Sequence, residues 1–144
     1  MTDPGEHPTI LVSNRQSLPL DEPGLAALAR STLLAEGFEM VEVSISFVDE
    51  SEMTDLHRRY MDEEGPTDVL SFPMNEADGD MRVLGDVVIA PSVAARNNPS
   101  SPADEMRLLI VHGVLHLLGY DHEDDAERAE MWERQERYSG VRTP

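Results

Sequence analysis

The sequence has no cysteine among its 144 residues. Disulfide bonds, thiolate zinc fingers, iron–sulfur clusters and cysteine nucleophiles are therefore excluded, and any metal ion has to be held by histidine, aspartate or glutamate. A chain without cysteine also suits a reducing compartment, because its stability does not depend on disulfides.

Lysine is absent as well. All 11 basic residues are arginine, they stand against 29 acidic residues, and the formal net charge is -18. A charge of that sign repels a polyanion at long range. A nucleic-acid site on this protein therefore needs a local positive field, or a partner that delivers the nucleic acid.

A long apolar segment is also missing. The longest apolar run, Leu108 to Leu118, is interrupted by two histidines and a glycine, and a membrane span needs about 20 apolar residues. The first residues lack the basic and apolar regions of a secretion signal. We expect a cytoplasmic protein with no membrane partner.

The apolar residues that are present suffice for one domain. They make up 40% of the chain, which favours a single core over residues 1–144, with loose ends at 1–8 and 139–144. Alternating or continuous apolar runs predict strands at Thr9 to Val12, Val41 to Phe47, Val69 to Phe72 and Leu84 to Ala90. We expect Pro73 to end the third of these strands, and Asn75 to Asp80 to form an acidic turn. Helical spacing predicts helices from Asp21 or Glu22 to Gly37, and at Glu50 to Tyr60, Ser92 to Arg96, Ala103 to Leu118 and Asp124 to Tyr138.

The last predicted helix carries acidic residues four positions before basic ones. We expect ion pairs between Asp124 and Arg128, Glu130 and Arg134, and Glu133 and Arg137.

Three of the five histidines lie in one segment, HGVLHLLGYDH, at residues 112–122. His112 and His116 are four residues apart on a predicted buried helix, so their side chains project from one face. Gly119 permits the left-handed turn that ends a helix and brings His122 back toward them. Three neutral imidazoles around one divalent cation leave a fourth position for water, as in catalytic zinc sites. The segment therefore predicts one Zn²⁺ per chain.

The same segment overlaps the zinc-protease pattern HExxHxxGxxH, but Gly113 stands where those enzymes carry a general-base glutamate. This difference disfavours a peptidase of that type. Asp121 and Glu123 are nearby candidates for a base, although Asp121 is as readily a turn residue or a residue that orients a ligand. The sequence leaves the base unassigned.

The motif HGxLHLxGYDH, together with PTDVLSFP at Pro66 to Pro73 and LGDVVI at Leu84 to Ile89, resembles the YbeY family of bacterial rRNA maturation factors. The resemblance implies an α+β fold with a small mixed β-sheet, and zinc on His112, His116 and His122. It also implies a metal-dependent endoribonuclease that cuts single-stranded rRNA in rRNA maturation and ribosome quality control. The ribosome or ribosome-assembly proteins are the partners that it implies.

One position departs from the pattern of that family. Met61 stands where many members have an arginine implicated in activity. Arg59 and His57 are the predicted catalytic residues in its place, and Arg58 is a predicted phosphate contact. The alternative is a solvated arginine pair, because helical spacing directs Arg58 and Arg59 away from the core and His57 toward it.

Two hydroxyl residues of the PTDVLSFP motif, Thr67 and Ser71, are predicted substrate contacts. Hydroxyls beside a strand commonly bond to local backbone groups, and this is the alternative for both.

Two other functions remain open beside RNA cleavage. A ribosome-assembly binding module would use the metal only to fix its fold, and the methionine at position 61 favours this alternative. A hydrolase acting on peptides or small esters is suggested by the partial protease motif, but it is weakened by Gly113.

Overall fold

The protein is described here by a computed structural model that covers residues 7–65 and 67–141. In these ranges the strands are β1 (Thr9–Arg15), β2 (Val41–Val48), β3 (Val69–Asp78) and β4 (Met81–Ile89). The helices are α1 (Glu22–Ala35), α2 (Glu50–Met61), α3 (Pro91–Asn97), α4 (Pro102–Leu117) and α5 (Asp125–Ser139). Residues 1–6 and 142–144 of the predicted loose ends, and Pro66 of the PTDVLSFP motif, lie outside the described residues.

The strands form one mixed sheet in the order β1-β2-β4-β3. β1 is parallel to β2, β2 is parallel to β4, and β3 is antiparallel to β4. The strands at the two edges are therefore β1 and β3. The expected α+β fold with a small mixed sheet is confirmed.

The larger apolar core lies between one face of the sheet and helices α1, α4 and α5. β2 shows the alternation expected of its sequence, because Val41, Val43, Ile45 and Phe47 are buried in this core and the residues between them are half-buried. A smaller core, which includes Met53 of α2, covers part of the other face. α4 is buried along most of its length, as its apolar sequence predicts.

β3 corrects one sequence prediction. The strand was expected to end at Pro73 and to be followed by an acidic turn, but it continues to Asp78 and turns only at Gly79 and Asp80. Proline is tolerated here because β3 is an edge strand, on which a missing N–H can face solvent. The irregular backbone follows at once, where the pairing with β4 shifts between Pro73 and Glu76 and Asn75 has a φ of 55°.

Two further predictions about the chain ends and α5 are corrected. Ser139 was expected in a loose end, but it is the last residue of α5, and the Arg107 guanidinium donates to its carbonyl at 2.8 and 3.0 Å. Asp124 was expected to pair with Arg128, but it caps the helix by accepting the Glu127 N–H. An N-cap carboxylate stabilises the helix by satisfying a backbone donor that has no other partner.

The ion pairs expected in the middle of α5 are formed. Arg134 lies 3.1 Å from Glu130, and Arg137 lies 3.3 Å from Glu133. No helix in the described ranges has the length and apolar character that a membrane span requires.

Candidate metal centre

α4 supplies the first two side chains of the site. His112 and His116 lie one turn apart on the side of the helix that borders β3, and their ring centroids are 4.6 Å apart. Because successive turns of an α-helix place residues i and i+4 one above the other, a rigid helix sets this spacing.

The third side chain, His122, follows the turn that ends α4. Gly119 has a φ of +101°, a conformation that costs glycine little. Its N–H donates to the His116 carbonyl at 3.0 Å, and the Tyr120 N–H donates to the Leu115 carbonyl at 3.1 Å. These two bonds define a Schellman turn, which reverses the chain. The His122 ring consequently lies 5.3 Å from the His116 ring.

The three histidines are therefore brought together as the sequence predicts. Each offers one ring nitrogen, and these three nitrogens lie within 4.8 Å of one another. A single divalent ion can be bound by all three. The donor set, three imidazoles without thiolate, suits zinc and other borderline transition metals.

α5 orients His112, one of the three histidines. Gln135 is 3% exposed, and its Oε1 accepts a hydrogen bond from His112 Nδ1 at 2.7 Å. Because Nδ1 holds the proton, Nε2 is left with a free lone pair for a metal. The Trp132 ring contacts His112 and His122 edge-on, with centroids 6.2 and 5.7 Å away, and covers the site on the α5 side.

Burial favours the neutral form of two of the three histidines. It lowers the pKa of His112, against the opposing effect of the Gln135 bond. Burial also lowers the pKa of His116, and the neighbouring His122 acts in the same direction. Since a metal binds only the neutral imidazole, both shifts favour metal binding at neutral pH.

The histidines open onto a cleft of about 490 Å³ between β3 and the turn after α4. Its lining residues are Met61, Val69, Leu70, Ser71, Pro73, His112, His116, Gly119, Tyr120, Asp121 and His122. No arginine is among these residues, within the part of the chain that the structure describes, and Asp121 is the carboxylate of the set.

Comparison with known proteins identifies the family. A family model described as Endoribonuclease YbeY matches residues 12–140. The chain belongs to the YbeY family.

Its relatives carry the same name. The endoribonuclease YbeY of Acidothermus cellulolyticus is 49% identical over 136 residues, which cover 83% of this chain and 83% of the relative. The endoribonuclease YbeY of Thermobifida fusca is 49% identical over 138 residues, which cover 88% of this chain and 89% of the relative. A solution structure of a Thermotoga maritima protein matches with a TM-score of 0.60 and 28% identity, covering 91% of this chain and 87% of that one.

Position 61, where the YbeY-family pattern leads us to expect an arginine, lies at the cleft. Met61 is the last residue of α2, is 45% exposed and lines the cleft wall. Arg58 and Arg59 do not line it, and both bond to the Asp55 carboxylate, at 2.9 and 3.3 Å, with about two thirds of their side chains exposed. Both side chains thus lie on the solvent side of α2, as the helical spacing indicates.

The other candidate residues are divided between the cleft and its surroundings. His57 is half-buried outside the cleft lining, with Nδ1 2.9 Å from the Gly65 carbonyl and Nε2 3.0 Å from Glu63. Thr67 is also outside the lining. Ser71 does line the cleft, but its hydroxyl donates to the Gly113 carbonyl at 3.2 Å. Of these candidates, Ser71 is therefore the one that lines the cleft together with the three histidines.

Gly113 explains why the protease glutamate is absent from this YbeY-family chain. α4 crosses β4 so closely at this residue that a Cβ would lie 2.5 Å from Val87 Cγ1. Real carbon atoms in contact are about 3.5–4.0 Å apart. A side chain at position 113 would point into the sheet rather than toward the histidines, so no general base can stand there.

The three histidines were predicted from the sequence, but Gln135 was not. One signal was present, because Met131, Gln135 and Ser139 recur every four residues on α5 and are its buried residues. A glutamine on the buried face of a helix needs a hydrogen-bond partner. The sequence alone does not show that the partner is His112.

Proposed function

We propose that this YbeY-family protein is a zinc-dependent endoribonuclease that cuts single-stranded rRNA in the cytoplasm, in rRNA maturation and ribosome quality control. One observation carries the proposal: three histidine nitrogens within 4.8 Å of one another lie at an open cleft, in a chain whose relatives are named endoribonucleases.

Zinc is proposed from the chemistry of the donors. Three neutral imidazoles, one of them fixed by a hydrogen bond to Gln135, match the protein ligands of catalytic zinc sites. When bound, such an ion supplies Lewis acidity toward a phosphoryl oxygen and a water molecule.

Asp121 is the proposed proton acceptor. It lines the cleft beside the histidines, and its Oδ1 accepts the His122 N–H at 2.7 Å, which holds the carboxylate in place. Glu123, the other candidate, is exposed and lies outside the cleft lining. A base must lie within hydrogen-bond reach of the proton that it removes, and this condition favours Asp121.

The charge of the protein limits how RNA is bound. A net charge of -18 repels RNA, and the described cleft residues include no arginine to attract phosphate. Binding of free RNA should be weak and sensitive to salt. We therefore propose that the ribosome or an assembly protein delivers the substrate.

Contacts from Arg58, Arg59, His57, Thr67 and Ser71 to the substrate or to the reacting phosphate remain proposals. For the arginines, the Asp55 ion pairs support a solvated role instead. A phosphate contact would require both side chains to leave Asp55.

The experiment is cleavage of a single-stranded rRNA fragment by the zinc-loaded protein at two salt concentrations. We expect cleavage by the wild type, and none by His116→Ala or by the chelated protein, which lack the ion. The double variant Arg58→Gln/Arg59→Gln is the matched test of the arginines, and full activity in it would assign them to the solvated surface.

The alternative is a binding module whose metal only stabilises the fold. The absence of arginine from the described cleft lining favours it. An inactive wild type that binds zinc stoichiometrically, and melts at a lower temperature after chelation, would refute the stand-alone nuclease and support this alternative.

A further inference from the structure

One carboxylate joins α1, α5 and the turn that follows α4. Glu36, the C-cap residue of α1, is only 10% exposed in its side chain. The Tyr120 hydroxyl donates to its Oε1 at 2.5 Å, and the Tyr138 hydroxyl donates to its Oε2. Arg134 of α5 completes the set, with Nε 3.4 Å from Oε2. We call these four residues the Glu36 cluster.

Tyr120 connects the Glu36 cluster to the metal site. It follows Gly119 in the turn after α4 and precedes His122 by two residues. Its ring packs against the main core, and the Arg134 guanidinium lies 5.0 Å from the ring centre on one face. Its ring and its hydroxyl are therefore both held by other elements.

His122 has much weaker restraints of its own. It is exposed, whereas His112 and His116 are half-buried on a helix. Its N–H bonds to the neighbouring Asp121 side chain, its carbonyl accepts a long bond of 3.4 Å from Arg128, and its ring has an edge-on contact with Trp132 of α5. The firm attachment nearest to His122 on its N-terminal side is the side chain of Tyr120.

We propose that Glu36 is a positioning residue for the metal centre, acting through the Tyr120 hydroxyl to hold the turn that carries His122. The proposal rests on the proposed metal site. A hydrogen bond to an ionised carboxylate is roughly twice as strong as one between neutral groups. A third ligand on a turn must be held as firmly as the two on the helix if all three are to bind one ion.

The expected effect is a loss of metal affinity without loss of the fold. Residues that orient metal ligands typically change affinity by about 10–100-fold when they are replaced. We expect Tyr120→Phe to weaken zinc binding by about 10-fold, because the ring stays in the core and only the bond to Glu36 is lost. Glu36→Ala should have a similar effect, and Glu36→Gln a smaller one, since its amide oxygen can still accept.

Tyr138→Phe is the matched control. It removes the same kind of bond from the same carboxylate, but its helix carries no metal ligand and stays tied to α4 through Arg107 and Ser139. We expect it to lower the melting temperature and to leave zinc affinity within about twofold of the wild type.

The experiment measures zinc affinity by competition with a chelator, the visible absorption spectrum of the cobalt-loaded proteins, and the melting temperature of the metal-free proteins. The proposal is supported if Tyr120→Phe loses zinc affinity tenfold and has an altered cobalt spectrum. The double variant Tyr120→Phe/Glu36→Ala should then lose no further zinc affinity, and Tyr138→Phe should show neither change. Equal affinities for Tyr120→Phe and Tyr138→Phe would overturn the positioning role. A wild type that binds no zinc would instead refute the proposed metal site.

Discussion

Replacing Gly113 by alanine tests whether α4 and β4 are in close contact under the histidines. The added Cβ would lie 2.5 Å from Val87 Cγ1 and 3.2 Å from Cγ2. Val87 is fully buried on a central strand, and a β-branched side chain has few other rotamers to adopt. Either the helix or the strand must therefore move.

Two opposing effects set the magnitude of the change. Alanine is favoured over glycine inside a helix by about 1 kcal/mol. Overpacking a well-filled core costs about 1–3 kcal/mol, and an overlap of about 1 Å against a rigid valine belongs to the upper part of that range. We expect a net loss of about 1–2 kcal/mol in the free energy of unfolding. For a domain of this size the loss lowers the melting temperature by roughly 3–8 °C.

The assay is urea and thermal denaturation of the metal-free protein, followed by circular dichroism. The double variant Gly113→Ala/Val87→Ala supplies the missing space, so its loss should be smaller than the sum of the two single losses by about 1 kcal/mol. A Gly113→Ala protein more stable than the wild type, or strict additivity in the double variant, would refute the close crossing of α4 and β4.

Two further expectations concern the surroundings of the site. Gln135→Leu removes the acceptor for His112 Nδ1 and should weaken zinc binding by about 10-fold or more. The control Met131→Leu is a volume-conserving change on the same helix and should leave zinc affinity unchanged. Competition with a chelator measures the zinc affinity of both variants. Burial raises the pKa of Glu36, but bonds from Tyr120 and Tyr138 and the Arg134 charge outweigh it and bring the pKa below its ordinary value of 4.5. The folded state then binds fewer protons than the unfolded state, so this stabilisation is present above pH 4.5 and disappears as the pH falls through the lowered pKa. Urea titrations from pH 7 to 3 should show the stability of the wild type approaching that of Glu36→Gln in acid, and a constant difference would contradict this pKa.

The local part of the candidate metal site was predictable from the sequence because it depends on spacing. His112 and His116 share a helix face at a separation of four residues, and Gly119 marks the turn to His122. These features lie within one segment of the chain.

The parts that were not predicted depend on contacts between distant segments. Gln135 is 23 residues from His112, and Tyr120 is 84 residues from Glu36. Periodicity shows that a polar residue will be buried, but it does not show which residue it will contact. With a single sequence, such pairings become visible only in the folded chain.

The fold was predicted best where one periodicity dominates. β2 alternates and α4 is apolar on nearly every side, and both were located to within one or two residues. β3 was predicted too short because proline usually ends a strand. Its position at the edge of the sheet is a tertiary property, which the run from Val69 to Pro73 does not reveal.

The irregular end of β3 also bears on what the cleft can take in. Many proteins recognise an extended peptide by adding it to an exposed sheet edge through a continuous series of main-chain hydrogen bonds. Here the edge next to the histidines lacks an amide proton at Pro73 and is distorted at Asn75, so a peptide laid along it would lose its register within a few residues. This edge is therefore poorly suited to bind a ligand that is recognised through its backbone amides. A flexible polyanion, the class of substrate proposed for this protein, has no backbone amides to pair and does not need a regular strand edge.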